Sequence, residues 1–133
     1  MKIVLDANIF ISSFFWGGNP RMIIKRIISR IDELFITKEI LDEIEEVLER
    51  PKFHVDKNEI YYYINSLEEI GNKIVPHKRI KNASRDKDDN KYLECGITAG
   101  ADYIISGDTH LLELKEYNNI KIVTAKNYLE IVK

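Results

Sequence analysis

Residues 2–6 have the sequence KIVLD, a short apolar run of the buried-strand type that ends directly on an acid. Comparable runs recur along the chain, at LFI (34–36), KIV (73–75), YIIS (103–106) and IKIV (120–123). Longer segments in which apolar residues follow helical spacing separate these runs. Because strands that alternate with helices form βαβ units, we expect an α/β fold with a parallel sheet and helices on both faces.

Capping and turn residues indicate where the helices of this fold begin and end. The predicted helices begin at Asn19–Pro20, after Thr37, near Asp56, at Asp88 or Asp89, at Thr109 and after Thr124. Three of them are expected to end before Pro51, Gly71 and Gly100. The helix from Thr109 is expected to reach about Glu116. We expect no helix to begin at Asp6.

Length and composition limit the class of protein. The chain has 133 residues, of which 44% are hydrophobic and 32% charged, and this fits a single domain spanning residues 1–133. The one cysteine, Cys95, excludes an intrachain disulfide and fits a reducing compartment. No apolar run is long enough to span a bilayer, so we expect a cytoplasmic protein. The net charge of -2 gives no global signature of nucleic-acid binding.

Four acids from four separate elements are predicted to meet at one edge of the sheet. Asp6 follows the first strand, and Asp108 lies just past the fourth. Ligands of open parallel sheets bind beyond the carboxyl ends of the strands, and the crossover helices begin on that same side. Asp89 opens one such helix, and Glu43 is the acid of the second predicted helix that lies nearest to its apolar stripe.

Each of these acids also has an ordinary structural interpretation. Asp89 and Asp108 are common types of helix cap, and Glu43 alone resembles any solvated helix acid. Asp6 has the weakest structural explanation, because it interrupts an apolar run. Clustered carboxylates repel one another unless cations are present, and carboxylate oxygens are ligands that Mg²⁺ and Mn²⁺ prefer. A pair of such ions can activate water for phosphodiester cleavage.

Four segments, in this order, resemble the motifs of PIN domains. They are VLDAN (4–8), ILDEI (40–44) with RPKF (50–53) after it, RDKDDNKYLEC (85–95) and GADYIISGD (100–108). Over nearly its whole length the chain is similar to the PIN subgroup usually described as toxin components of toxin–antitoxin systems.

The resemblance implies a three-layer α/β sandwich, dependence on Mg²⁺ or Mn²⁺, and endoribonuclease activity on single-stranded RNA. It carries catalytic and metal-binding roles onto four acids: Asp6, Glu43, Asp89 and Asp108. Asp88 is an additional candidate metal ligand, and Asn8 and Ser106 match polar positions beside the site. The implied partners are an antitoxin protein and a second copy of the chain in a homodimer, with no membrane.

Two other functions stay open at this point. A module with the same fold and the same acidic mouth would bind RNA with little or no turnover. A phosphoacceptor domain of the receiver type also clusters acids at strand ends, but it typically pairs acids after its first strand and places a lysine after a late strand. Here Asp6 stands alone, and SGD (106–108) contains no lysine. No glycine-rich dinucleotide motif or phosphate-loop motif is present.

Further residues have two interpretations each. Six basic residues fit two interpretations equally well, contact with RNA phosphates or a place in a solvated loop: Lys52, His54, Lys78, Arg79, Lys81 and Arg85. The aromatic run FFW (14–16) either stacks on bases or packs in a core or dimer interface. Of the run YYY (61–63), one or two side chains are expected to be exposed. We interpret His110 as a surface residue and Cys95 as a core residue.

Overall fold

A computed structural model of the chain describes residues 1–77, 79–81, 83 and 86–133. The strands are β1 (Lys2–Leu5), β2 (Glu33–Ile36), β3 (Gly71–Lys73), β4 (Tyr103–Ile105), β5 (Glu116–Tyr117) and β6 (Ile120–Val123). They pair in the order β3-β2-β1-β4-β6-β5. Neighbouring strands are parallel except β5 and β6, which pair antiparallel at one edge.

The helices are α1 (Ala7–Phe15), α2 (Gly18–Ile28), α3 (Lys38–Leu48), α4 (Lys57–Ile70), α5 (Asn90–Ala99), α6 (Thr109–Leu112) and α7 (Ala125–Ile131). Short 3₁₀ turns cover Pro51–Phe53 and Lys87–Asp89. Successive residues of a strand point to opposite faces, and Ile3, Val4 and Leu5 are all buried, so both faces of the central strand are covered. The predicted three-layer α/β sandwich is confirmed. Within the described ranges, no helix has the length and apolar character needed to cross a bilayer.

Several helix ends follow directly from the sequence, as predicted. The hydroxyl of Thr37 accepts a hydrogen bond from the backbone N–H of Ile40 at 3.3 Å, which caps α3. Thr124 caps α7 in the same way. Gly100 ends α5 in the left-handed region, at φ 65°, where glycine has no steric penalty.

Three predicted boundaries were wrong. A helix, α1, begins directly after Asp6. Its sequence, ANIFISSFF, has only a narrow polar stripe, at Asn8 and Ser12, because most of the helix is buried and the helical period of apolar residues is weak. The helix from Thr109 ends at Leu112, and a two-residue turn at Asn118–Asn119, with both φ angles positive, joins β5 to β6. The strand expected at 73–75 lies at Gly71–Lys73 instead.

Candidate metal and catalytic site

Asp6 lies at the carboxyl end of the central strand and is 3% exposed. One of its oxygens, Oδ1, accepts a hydrogen bond from the backbone N–H of Asn8 at 3.1 Å, so Asp6 is the N-cap of α1. Its other oxygen, Oδ2, accepts a hydrogen bond from the hydroxyl of Ser106 at 2.7 Å. The expectation that Asp6 caps no helix was therefore wrong, and this acid has a structural role as well as a place in the site.

The surroundings of Asp6 make its ionised form costly. Burial is the largest effect and raises the pKa of Asp6 above its usual value, and the negative charge of Glu43 adds to that increase. The hydrogen bonds from Ser106 and Asn8 act in the opposite direction without cancelling the effect of burial. A carboxylate in this position gains stability from a nearby positive charge.

Ser106 connects the ends of two neighbouring strands. It follows β4, which pairs with β1, and it is fully buried. While its hydroxyl donates to Asp6, the same oxygen accepts the backbone N–H of Asp108 at 2.9 Å. One serine therefore fixes the position of Asp6 relative to the segment that carries Asp108.

Glu43 is held near Asp6 by two residues of α5. The hydroxyl of Tyr92 donates a hydrogen bond to Glu43 Oε1 and accepts the backbone N–H of Ala7 at 3.1 Å. Burial, together with the charges of Asp6 and Glu43, raises the pKa of Tyr92, so the phenol keeps its proton and donates it. The Nζ of Lys91 lies 2.9 Å from the same carboxylate oxygen. Glu43 is thus half-buried and oriented from two directions.

A second group of side chains has spacing suited to a cation. One ligand atom from each of Asp86, Asp89, Asp108 and His110 lies within 4.8 Å of the others. Asp86 caps the 3₁₀ turn before α5 by accepting the N–H of Asp88 at 3.0 Å. Asp108 caps α6 by accepting the N–H of His110 at 2.7 Å, and the His110 Nδ1 lies 3.9 Å from the same oxygen. Both caps hold their carboxylates at the edge of the site.

The donor set of this group fits a hard divalent cation. Three carboxylates supply the oxygen ligands that Mg²⁺ and Mn²⁺ favour, and the single imidazole is compatible with Mn²⁺ and with other transition metals. In the described part of the chain, no cysteine takes part in such a group. The chemistry of the residues therefore agrees with the cation class expected from the sequence.

The predicted residues divide between the two groups. Asp89 and Asp108 lie in the four-residue group, whereas Asp6, Glu43 and Ser106 form the hydrogen-bonded set beside it. The side chain of Asp88 is exposed, and Asn8 is exposed and contributes its backbone N–H.

Four residues of the site were not predicted from the sequence: Asp86, Lys91, Tyr92 and His110. His110 was interpreted as a surface residue, and its side chain is 39% exposed, but its place in the four-residue group was missed. The spacing of Asp86 to Asp88 and of Asp108 to His110 is that of an Asp cap two residues before its N–H donor, which was a usable signal. Of the basic residues considered for phosphate contacts, Lys78 and Arg85 lie outside the described residues.

Comparison with known proteins agrees with this architecture. A family model described as the PIN domain matches residues 2–110. Among solved structures, a chain of the crystal structure of VapBC2 from Rickettsia felis bound to a DNA fragment from their promoter superposes with a TM-score of 0.63 and 12% sequence identity. The match covers 92% of this chain and 97% of that one, and at this identity it shows the shared fold. No curated protein sequence matches the chain at a significant level.

Proposed function

The chain belongs to the PIN-domain family, and from that premise we propose that it is a metal-dependent endoribonuclease that cleaves single-stranded RNA in the cytoplasm. The observation that carries the proposal is the meeting of Asp86, Asp89, Asp108 and His110 within 4.8 Å, next to the buried Asp6. Acids gathered from separate segments, at the ligand side of a mostly parallel sheet, are suited to hold cations at a phosphodiester.

The cation in this proposal is Mg²⁺ or Mn²⁺. The ligands would come from Asp89 and Asp108, with Asp86 and His110 beside them, and from Asp6 and Glu43 in the adjoining set; Asp88 lies at the rim. When bound, the cation would activate a water molecule and stabilise the charge that develops on the leaving oxygen.

The residues of the chain position the carboxylates that would hold the cation. Ser106 and the N–H of Asn8 fix both oxygens of Asp6, so its carboxylate is oriented before substrate arrives. Burial and the charge of Glu43 raise the pKa of Asp6, so its ionised carboxylate gains stability from a cation held at this edge. Tyr92 and Lys91 hold Glu43 at the same edge.

We also propose that the protein is the toxin of a toxin–antitoxin pair. The family and the structural similarity to a chain of VapBC2 support an antitoxin partner. A homodimer is part of the same proposal. Trp16, Tyr61 and Tyr62 are 72%, 66% and 69% exposed, which provides aromatic surface for an interface.

The deciding experiment is incubation of the purified protein with mixed single-stranded RNAs in Mn²⁺, in Mg²⁺ and in EDTA. Cleavage that requires the cation and is lost in Asp6→Asn supports the proposal. Binding without cleavage in every condition would instead favour an RNA-binding module with no turnover. Sedimentation across a wide concentration range, with monomer throughout, would reject the homodimer.

A further inference from the structure

A groove of about 550 Å³ lies beside the carboxylates. Its walls are the segment 79–81 on one side, and the 3₁₀ turn Lys87–Asp89 with the first turns of α5 on the other. Of its lining residues, the proposed cleavage chemistry uses Lys91, which holds Glu43, and Asp88 at the rim, but neither Lys81 nor Lys87. We define it by its three lysines, Lys81, Lys87 and Lys91, and refer to it as the lysine groove.

Buried side chains fix the segment that forms one wall of the lysine groove. Glu94, on α5, is 5% exposed, and it accepts the backbone N–H of Ile80 at 2.9 Å and the Arg79 guanidinium at 3.0 Å. The same guanidinium nitrogen of Arg79 lies 2.5 Å from Glu39 on α3. The amide of Asn90 donates to the carbonyl of Ile80 at 3.4 Å. The wall that carries Lys81 is therefore attached to two helices by side chains.

The cations of the lysine groove differ in whether they have an ion-pair partner. Glu39 and Glu94 already pair with Arg79. Lys81 and Lys87 are exposed, and within the described ranges neither has an ion-pair partner. The lining thus carries three acids and four cations, of which Arg79 is shared by the two glutamates and Lys91 pairs with Glu43. The two exposed lysines, Lys81 and Lys87, are the cations placed to contact an anionic ligand.

The lysine groove is continuous with the carboxylates. Asp88 and Lys91 line it and also line a neighbouring groove of about 390 Å³ that contains Glu43. Lys91 contacts Glu43 directly, so an extended polyanion bound in the lysine groove would also reach the carboxylates around Glu43. A ligand with regularly repeated negative charges fits this arrangement, since it can satisfy separated lysines in succession.

We propose that the lysine groove binds the phosphate backbone of single-stranded RNA next to the bond that is cut, with Lys81 and Lys87 contacting phosphates and Arg79 acting as a positioning residue for Lys81. This inference rests on the proposed function for its ligand. It adds a binding subsite, separate from the carboxylates, that sets affinity for the strand.

The test compares two double variants with equal loss of charge. Lys81→Ala/Lys87→Ala removes the unpaired lysines, and Lys25→Ala/Lys126→Ala removes two exposed lysines of α2 and α7 that do not line the groove. The probe is a fluorescein-labelled 2′-O-methyl oligoribonucleotide, which resists cleavage, and its Kd is measured by anisotropy over a salt series. We expect the first variant to bind roughly tenfold more weakly, with a salt slope smaller by about 1.4, or about 0.7 for each lost phosphate contact. Equal binding by both variants would overturn the inference.

A double-mutant cycle tests the positioning role of Arg79. If Arg79 acts through Lys81, Arg79→Ala should weaken binding in the parent protein but have little further effect in the Lys81→Ala background. Additive losses with an additional decrease of the salt slope would mean that Arg79 contacts RNA itself, and this positioning role would be wrong. Arg79→Lys, which keeps the charge, should restore part of the affinity.

Two outcomes separate this inference from the proposed function. If the parent protein binds the oligoribonucleotide through Lys81 and Lys87 but cleaves no RNA with any cation, the nuclease proposal fails and the lysine groove stands as an RNA-binding surface. If the parent protein cleaves RNA and the lysine variant cleaves subsaturating RNA equally fast, the subsite fails and the nuclease stands. Competition by a poly-glutamate peptide as strong as by RNA, at equal charge and ionic strength, would also overturn an RNA-specific subsite.

Discussion

The hydroxyl of Ser106 donates a 2.7 Å hydrogen bond to Asp6, although the two residues are 100 positions apart in the chain. Both follow parallel strands that are neighbours in the sheet, so their side chains emerge at the same edge. The contact orients a buried carboxylate that burial disfavours in its charged form. It is also the direct connection between Asp6 and the segment of Asp108.

Replacing Asp6 by asparagine should remove catalysis and leave the fold intact. Asparagine caps a helix as well as aspartate does, so α1 keeps its N-terminal hydrogen bond. Losing the charge should reduce cation-dependent RNA cleavage by about a hundredfold or more, since a ligand of the cation that activates water is lost. The control is Glu45→Gln on α3, which lines a groove against α4 instead and should stay active. Cleavage by Asp6→Asn at the parental rate would contradict the mechanism.

The same substitution makes a prediction about pH. Because the pKa of Asp6 is raised in the folded protein, stability is lost as the pH rises from the unfolded-state pKa to that raised value. Without added metal, Asp6→Asn should therefore melt at or above the parental temperature at pH 7. The difference should vanish below about pH 4, where the carboxyl is protonated in both folded and unfolded chains. A variant that is less stable than the parent at pH 7 would show that ionised Asp6 stabilises the fold, contrary to this prediction.

Divalent cations should stabilise the protein, because they bind the folded arrangement of acids and not the unfolded chain. At a concentration a hundredfold above Kd the gain is about 2.7 kcal/mol, or roughly 5–10 °C in melting temperature for a domain of this size. Asp108→Asn should lose most of this shift. Asp56→Asn is the matched control, because Asp56 caps α4 with the same Asp geometry outside the site. Scanning calorimetry with Mn²⁺ and with EDTA measures the change in melting temperature of both variants. Equal changes in Asp108→Asn and Asp56→Asn would place the cation elsewhere.

Tyr92→Phe isolates the hydroxyl that orients Glu43. The ring still fills its buried position, while the hydrogen bonds to Glu43 and Ala7 are lost. We expect a loss of roughly 1–2 kcal/mol in stability. Cleavage should fall by about tenfold through kcat, because Glu43 is less well oriented and Tyr92 does not lie where it would bind substrate. Tyr62→Phe, at an exposed position of α4, should change neither quantity.

Asp32 should make the protein sensitive to acid. Burial is the largest single effect on Asp32 and raises its pKa, but the bidentate contact with Arg26, at 2.7 and 3.3 Å, together with Tyr128 and the charge of the N-terminus, lowers the pKa overall. The stabilisation is present above about pH 4 and is lost as the pH falls through the folded-state pKa. At pH 7, Asp32→Asn should cost about 2–4 kcal/mol, because it leaves a largely covered guanidinium without its partner. The exposed pair of Lys38 and Asp42 is the control, and Asp42→Asn should change denaturant midpoints little.

The sequence predicted those parts of the fold that short-range chemistry determines. The hydroxyl of Thr37 suits a helix N-terminus, and the backbone of Gly100 adopts the left-handed conformation that ends a helix. The first three residues of the run at 103–106 are apolar, as a buried strand requires. One or two exposed side chains were predicted for the run YYY (61–63). Tyr61 and Tyr62 are the exposed ones, and Tyr63 turns inward to donate to the carbonyl of Phe10. These predictions needed no knowledge of distant residues.

The rest depends on tertiary contacts. Helix α1 lacks an amphipathic pattern because it is covered on most sides, so periodicity gives no signal. Strand β5 has two residues and exists through its pairing with β6. His110 is part of the site because Asp108 caps α6 and the first turn of that helix lies beside Asp86, a relation between separate segments that a single sequence does not contain.

Because β1 lies between β2 and β4 in the sheet, the site beside Asp6 is completed only after the chain has been synthesised through β4. Asp6 and Glu43 leave the ribosome early, but their side of the site is completed by residues 86–110, and Asp6 gains its serine partner after β4 has been made. The pairing of β1 with β4, two strands far apart in the sequence, also slows folding. A translation product interrupted before residue 103 has no β4 to place beside β1. Under the proposed function, such a product could not cut the RNA from which it is being made.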